Sequence, residues 1–241
     1  PLVFHSSYYR INLSKEAFNV VTVHDFIAEK FYYKNKLSHW MKKFAINNAD
    51  RLICISESTK KDLMHFFPHI NKNKISVIYH GSSEDFHKTN STKLIEKFNL
   101  NEKPYILFVG QRNSYKNFNT CLKLINRFPG YNLITVGGSQ LNRNEIKLYN
   151  NNKNWKHLGN VSEATLNELY NQAYCLFYPS SYEGFGMPLI DSMKVGCPAI
   201  VNNSSSLAEI GSNHAILIDV MNDKDLFSSL DIVKEKRKDK N

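Results

Sequence analysis

Two tandem α/β units, each a doubly wound parallel sheet with helices on both faces, are what this sequence predicts, and three observations carry the prediction. Short apolar runs alternate with helix-period segments from one end of the chain to the other. Several of those runs are apolar throughout, and a strand with no polar face is buried on both sides, as in a parallel sheet covered by helices. The length of 241 residues suits one large or two small domains at about 100–150 residues each.

The strands are expected over 2–5, 20–24, 52–55 and 75–79, then over 105–109, 131–136, 155–158, 175–178, 199–201 and 215–218. As a set they are rich in Val, Ile, Phe and Tyr, which fit a pleated surface. Between them, Leu37, Trp40, Met41, Phe44 and Ala45 stand at i, i+3, i+4, i+7 and i+8, one apolar stripe of a helix. Ser56 or Ser58 can cap a helix carrying Leu63, Phe66 and Phe67, which Pro68 stops. A short helix is expected over 94–98. Ser162 can cap another, whose Leu166, Leu169, Tyr170 and Ala173 share a face. Pro188 suits the first turn of a helix that runs to Gly196, a C-terminal stop. The polar stretch from Gly81 to Ser91 divides the chain into an N-terminal unit, residues 1–90, and a C-terminal unit, residues 91–241.

Composition narrows the function classes. A hydrophobic fraction of 42% with 12% aromatics excludes a disordered chain. No run of about 18 apolar residues is present to form a membrane-spanning helix. The opening at Pro1 shows no basic-then-apolar leader, and it is read as the mark of a processed chain or of a missing N-terminal portion. Cys54, Cys121, Cys175 and Cys197 form no Cys-x-x-Cys pair and stand in or beside apolar runs, so buried thiols in a reducing compartment are expected. The 31 Lys+Arg against 22 Asp+Glu leave a formal charge of +9, which admits nucleic acid, an anionic membrane surface or a phosphorylated substrate. The basic residues are scattered and no nucleic-acid module is present, so nucleic acid is not expected. The basic amphipathic stretch over 34–43 reads first as a solvated outer face and leaves peripheral membrane docking open. The tail over 234–240 mixes bases with acids and reads as a solvated end.

Two loops carry chemistry. Pro179-Ser-Ser-Tyr-Glu-Gly-Phe-Gly-Met-Pro-Leu-Ile-Asp191 begins where the 175–178 strand ends and turns into the helix opened by Pro188. Ligands of open α/β sheets bind outside the carboxyl ends of strands. Gly184 and Gly186 let a backbone come close to a ligand, and the N–H groups of a helix start suit a phosphate. Glu183 before the helix and Asp191 about one turn into it are a pair that can hold sugar and ribose hydroxyls; an ordinary strand–helix turn is equally compatible with them. Gly110-Gln-Arg-Asn-Ser-Tyr-Lys-Asn117 follows the 105–109 strand, which puts Arg112 and Lys116 at the same carboxyl edge. Two cations near a helix N-terminus suit a diphosphate, Arg by its fork and Lys as a point charge. The pattern is neither Gly-x-Gly-x-x-Gly nor a P-loop. Gly137-Gly138 and Gly159 read as tight turns. In the first unit a buried strand ends in His24-Asp25, and a histidine at such an edge can hydrogen-bond a reacting group or be purely structural.

In order along the chain, Val-His24-Asp25, Cys-Ile-Ser-Glu-Ser-Thr-Lys-Lys-Asp-Leu, His80-Gly81, Phe-Val-Gly-Gln-Arg112-Asn-Ser-Tyr-Lys116-Asn, Pro-Ser-Ser-Tyr-Glu183-Gly-Phe-Gly-Met-Pro and Ser-Ser-Ser-Leu-Ala-Glu-Ile resemble the GT-B retaining glycosyltransferases of family 4. The wording looks most like the polysaccharide- and O-antigen-building members. The resemblance implies a GT-B fold whose N-terminal, acceptor-side domain is truncated here. It also implies transfer of a mannose- or glucose-type sugar from a GDP- or UDP-sugar to a saccharide or lipid-linked acceptor, with retention of configuration. Arg112 and Lys116 would hold the diphosphate, and Gly184, Phe185 and Gly186 would belong to the donor site. Glu183 would contact the donor sugar, and His24 would sit over it near the reacting carbon. Asp191 stands where the family's Glu-x7-Glu signature has its second Glu, one methylene longer, and would hold the ribose. No metal or other cofactor is expected, and the enzyme would work in the cytoplasm or at the inner face of the membrane. Two other readings remain: a truncated, catalytically weak nucleotide-sugar-binding fragment, and a nucleotide-sugar 2-epimerase of the same fold.

Overall fold

The computed structural model describes residues 2–31, 36–100 and 102–238. Two compact units divide the chain: unit 1 is Pro1–Gly81 together with Tyr182–Gly186, and unit 2 is Ser82–Ser181 together with Met187–Asn241. Against the division at 90/91 expected from the sequence, the first unit ends at Gly81 and takes back five residues of the later Gly-rich turn.

In unit 1, β1 (Leu2–Ser6), β2 (Ala17–Val23), β3 (Arg51–Cys54) and β4 (Ile75–Val77) form one parallel sheet in that order. Helices α1 (Ile27–Phe31), α2 (Lys36–Asn48) and α3 (Glu57–Phe66) connect them. Val21, Val23, Leu52, Cys54, Phe26, Ile46 and Leu63 make the core. Ser56 caps α3 by accepting the Thr59 N–H at 3.0 Å, and Pro68 follows its C-terminal cap at Phe67. Strand β2 stops at Val23, so His24 lies just past the carboxyl edge and not inside the strand.

Helix α2 corrects a sequence expectation. Leu37, Trp40, Met41 and Phe44 are exposed, and the Trp40 and Phe44 rings stack on each other at 5.4 Å. The buried face is Lys42, Ala45 and Ile46, continued by Ala49 just beyond the helix. A lysine faces inward because it is paired there: its Nζ lies 2.9 Å from Glu29, donates to the Asp25 carbonyl and sits 4.1 Å above the Phe26 ring. Of the basic stretch 34–43, residues 34 and 35 lie outside the described residues, as do 239 and 240 of the basic tail.

Unit 2 runs β5 (Tyr105–Val109), α4 (Phe118–Arg127), β6 (Asn132–Val136), α5 (Arg143–Asn150), β7 (Trp155–Gly159), α6 (Glu163–Gln172), β8 (Cys175–Tyr178), α7 (Met187–Val195), β9 (Ala199–Asn202), α8 (Ser205–Gly211), β10 (Ile216–Ile218) and α9 (Asp223–Lys238). The sheet is parallel, in the order β10-β9-β8-β5-β6-β7. Alternate residues point to opposite faces. Leu107, Ile134, Leu176 and Val201 therefore fill one core layer, and Ile106, Phe108, Phe177 and Ile200 the other. That two-sided burial is why these strands read as uninterrupted apolar runs. The helix expected over 94–98 is only a 3-10 turn, Glu96–Phe98, ended by Asn99 in the left-handed region. All four cysteines are buried, and none forms a disulfide. Among the described residues no helix is long and apolar enough to cross a membrane.

Candidate functional site

The strand order of unit 2 selects one end of the sheet. From β5 the chain winds outward through β6 and β7 on one side and through β8, β9 and β10 on the other. The direction reverses between β5 and β8, and a crevice opens there at their carboxyl ends. The loops over 110–117 and 179–181 border that crevice, and hydrogen bonds staple them together. The Ser181 N–H donates to the Tyr115 carbonyl at 2.7 Å, and Asn117 Nδ2 donates to the Pro179 carbonyl and to Ser181 Oγ, both at 2.8 Å. Asn117 holds φ at 50° as it opens α4, a left-handed backbone that Asn tolerates better than most residues.

Lys116 is buried on this loop, its Nζ 3.3 Å from the Tyr178 hydroxyl and above the rings of Tyr115 and Tyr178. Arg112 is held more tightly. Its Nε donates to Glu145 at 2.8 Å, Nη2 to the Ser139 carbonyl at 2.6 Å and Nη1 to the Gly137 carbonyl at 3.3 Å. Gly137 and Gly138 both take φ of 80° beneath it, as tight turns require. Half-buried His157 is nearby. Burial, and then the Arg112 charge, hold its imidazole below the usual value.

Asp191 is buried on α7 and accepts the Ser82 hydroxyl at 2.7 Å. Burial raises its carboxyl above the usual range, while the Ser82 hydrogen bond and the Lys194 charge pull it back. At the same sheet edge, the buried Ser180 hydroxyl has no protein partner. Arg112, Lys116 and Asp191 thus all belong to unit 2.

His24, Glu183, Gly184, Phe185 and Gly186 belong to unit 1. His24 Nε2 lies 2.7 Å from the Ser7 carbonyl, and a carbonyl only accepts, so Nε2 carries the proton. The His24 ring stacks on His80 at 5.8 Å, and His80 meets the Phe185 ring edge-on at 5.4 Å. Partial burial, and then His24, hold the His80 imidazole below its usual value. Glu183 is buried. Gly184 differs from the sequence expectation: the backbone it lets in is this chain's own. A Cβ there would stand 1.9 Å from the His24 carbonyl oxygen. The Gly184 carbonyl also accepts the hydroxyls of Ser56 at 2.7 Å and Thr59 at 3.1 Å. Gly186 takes φ of 108°, which favours glycine.

Beside His24 lies a cavity of about 420 Å³ whose walls include Tyr8, Tyr9, Asp25, Glu29 and Lys42. Tyr9 holds a left-handed φ of 50° there, and burial, followed by Asp25 and Glu29, pushes its phenol up. Among the described residues no group of three or more His, Cys, Asp or Glu side chains is placed to hold a metal ion.

Sequence reasoning missed Ser82, Glu145 and the Glu29–Lys42 pair, and it marked His80 within a motif without giving it a role. Glu145 had one visible signal, the spacing Asn142-x-x-Glu145 of a capping box. The partners of the others are set by tertiary contacts, which leave no local pattern.

Comparison with known proteins adds the family. The profile of glycosyl transferases group 1 matches residues 90–241, and that of glycosyltransferase family 4 matches residues 3–86. O-antigen chain mannosyltransferase B of Escherichia coli is 24% identical over 226 residues, and O-antigen chain mannosyltransferase RfbU of Salmonella typhimurium is 28% identical over 221. Each alignment takes in 87% of this chain and 59% of the relative, so the chain spans little more than half of their length. Sucrose-phosphate synthase of Thermosynechococcus elongatus shares the fold with a TM-score of 0.78 at 20% identity, over 97% of this chain and 64% of that one. HepE of Anabaena, solved in complex with UDP-glucose, gives 0.77 at 15% identity, over 91% and 63%. At these identities the structural likeness speaks for fold alone, and the fold is GT-B. With the first profile spanning well over half of the sequence, the chain belongs to the glycosyl transferases group 1 family.

Proposed function

We propose that this chain belongs to a retaining glycosyltransferase that moves a mannose- or glucose-type sugar from a GDP- or UDP-sugar to a saccharide or lipid-linked acceptor in surface polysaccharide synthesis. The observation that carries the reading is the pair of cations on the loop over 110–117, at the switch point of a parallel sheet in unit 2. A buried Lys and a buried Arg fork beside the start of α4 suit a diphosphate leaving group, whose developing charge they would stabilise. In unit 2, Asp191 is assigned to the ribose. In unit 1, His24 and Glu183 are assigned to the sugar being transferred, with Gly184, Phe185 and Gly186 shaping that segment. The acceptor is assigned to the cavity beside His24, where aromatic rings and a carboxylate offer the stacking and hydroxyl contacts a saccharide uses. The mannosyltransferase relatives favour mannose, and HepE binds UDP-glucose, so both donors belong in the test. With the diphosphate charge met by two side chains, no metal is needed, and transfer should persist in EDTA. The site of action is proposed to be the cytoplasm or the inner face of the membrane.

Calorimetric titration with UDP and with GDP tests the donor side. One of them should bind, and Lys116→Ala should weaken that binding about tenfold or more. Absence of heat from both, in a folded sample, would sink the reading. For the chemistry, Glu183→Ala should slow sugar transfer by about 10² or more, and the product anomer read by NMR should keep the donor's configuration.

A further inference from the structure

Arg112, the cation assigned to the diphosphate, already has three acceptors: Glu145 at 2.8 Å and the carbonyls of Ser139 at 2.6 Å and Gly137 at 3.3 Å. A guanidinium carries five N–H groups, so about two remain for a ligand. The Arg112 side chain is 3% exposed and that of Glu145 is 14% exposed. The second oxygen of Glu145 is used as well, accepting the Asn142 N–H at 2.8 Å and closing the capping box of α5. Glu145 therefore ties the guanidinium to the first turn of a helix, across a turn made by Gly137 and Gly138. Burial, and then the Arg112 charge, hold the nearby His157 imidazole below its usual value, which disfavours a second cation beside the carboxylate.

We propose that Glu145 is a positioning residue for donor binding, fixing Arg112 so that its remaining N–H groups are preset for the diphosphate. The proposal rests on the donor reading of unit 2. Its physical basis is preorganisation. A long side chain locked before the ligand arrives loses no further freedom on binding, and the ligand meets donors already aimed. The same carboxylate also carries a negative charge close to where another anion must sit. These two effects have opposite signs, which makes the proposal testable. If charge dominated, removing the carboxylate would tighten nucleotide binding. If positioning dominates, removal weakens it.

The test is calorimetric titration of the whole chain with whichever of UDP and GDP the wild type binds, on Glu145→Gln, Glu145→Asp and Asn142→Ala. Glu145→Gln keeps the shape but removes the charge-assisted pair, and it should weaken binding about tenfold. Glu145→Asp keeps the charge and draws it back by one methylene; it should weaken binding about threefold or more, and it supplies the answer if the Gln variant does not fold. Asn142→Ala strips the side-chain cap of α5 while leaving the Arg112–Glu145 contact in place, and should bind as the wild type does. Unchanged or tighter binding by the Gln variant overturns the proposal, as does unchanged binding by the Asp variant. An equal loss in Asn142→Ala overturns it too, because the effect would then come from the helix and not from Arg112. A wild type that binds neither nucleotide removes the donor reading itself, and this proposal with it.

Discussion

Gly184 and Asp191 are seven positions apart in one motif, yet substitution should move stability in opposite directions. Gly184 is pressed against the His24 backbone, where an added Cβ would lie 1.9 Å from the carbonyl oxygen. Two backbone segments must separate to admit it, and neither is the end of a flexible side chain. Gly184→Ala should therefore destabilise by at least ~3 kcal/mol, read as a lower denaturant midpoint. An unchanged midpoint would show that the two segments part freely. Asp191 is the reverse case. Burial raises its carboxyl, so the folded state favours the protonated form. The stability this contributes is complete below the ordinary value of 3.8 and is lost as pH rises through the raised folded value. Above that folded value the protein carries a carboxylate in a place that disfavours its charge. Asp191→Asn keeps an acceptor for the Ser82 hydroxyl and removes that charge. It should melt a few degrees higher, on the order of the shift that ~1 kcal/mol gives in a chain this size, while its nucleotide affinity falls. Both residues stood out in the sequence as glycine and acid in a loop after a buried strand. What each one touches did not, because His24 and Ser82 lie more than 100 residues away.

Strands were the most legible elements, and α2 shows where legibility ended. Strands β5 and β8 fall on the residues their apolar runs marked, since burial on both faces demands apolar side chains at every position. The Ser56 and Ser162 caps were legible for a similar reason: a cap is a contact three residues long. In α2 the apolar stripe pointed to one face and the structure buries another, with Lys42 at its centre. Periodicity ranks residues by type and cannot see that Glu29, on α1, makes an inward lysine tolerable. The Arg112–Glu145 contact was hidden in the same way, by a separation of 33 positions. The α2 pairing has a direct consequence. Removing one member of a buried ion pair strands the other charge, so Glu29→Ala should cost about 3–5 kcal/mol. Replacing the pair together, with Glu29→Gln and Lys42→Met, should cost much less, because no charge is left uncompensated. Urea titrations of the two variants decide it. If the double variant is as unstable as the single one, the burial of α2 does not rest on this pair.

Across the whole molecule, each unit holds a histidine whose imidazole its surroundings keep below the ordinary value, His80 in unit 1 and His157 in unit 2. For His80 the cause is partial burial and then His24; for His157 it is burial and then Arg112, opposed by Thr135 and Glu145. Both imidazoles sit below the ordinary 6.5, so above that pH neither state of the chain is protonated there and the contribution is fully present. As pH falls from 6.5, the unfolded chain takes up protons that the folded one refuses, and stability drains away until the lowered folded values are passed. Asp191, with its raised carboxyl, contributes with the opposite sign, so the comparison is cleanest in the Asp191→Asn background. In that background the melting temperature should fall by roughly a few degrees between pH 7 and pH 5. His157→Gln, which keeps an amide for Thr135, should remove part of the fall, and His80→Asn a second part. The two parts should add, because the groups lie in different units and share no partner. A pH slope that neither substitution changes would move its origin to the carboxylates, and the two imidazoles would then have no hold on the stability of either unit.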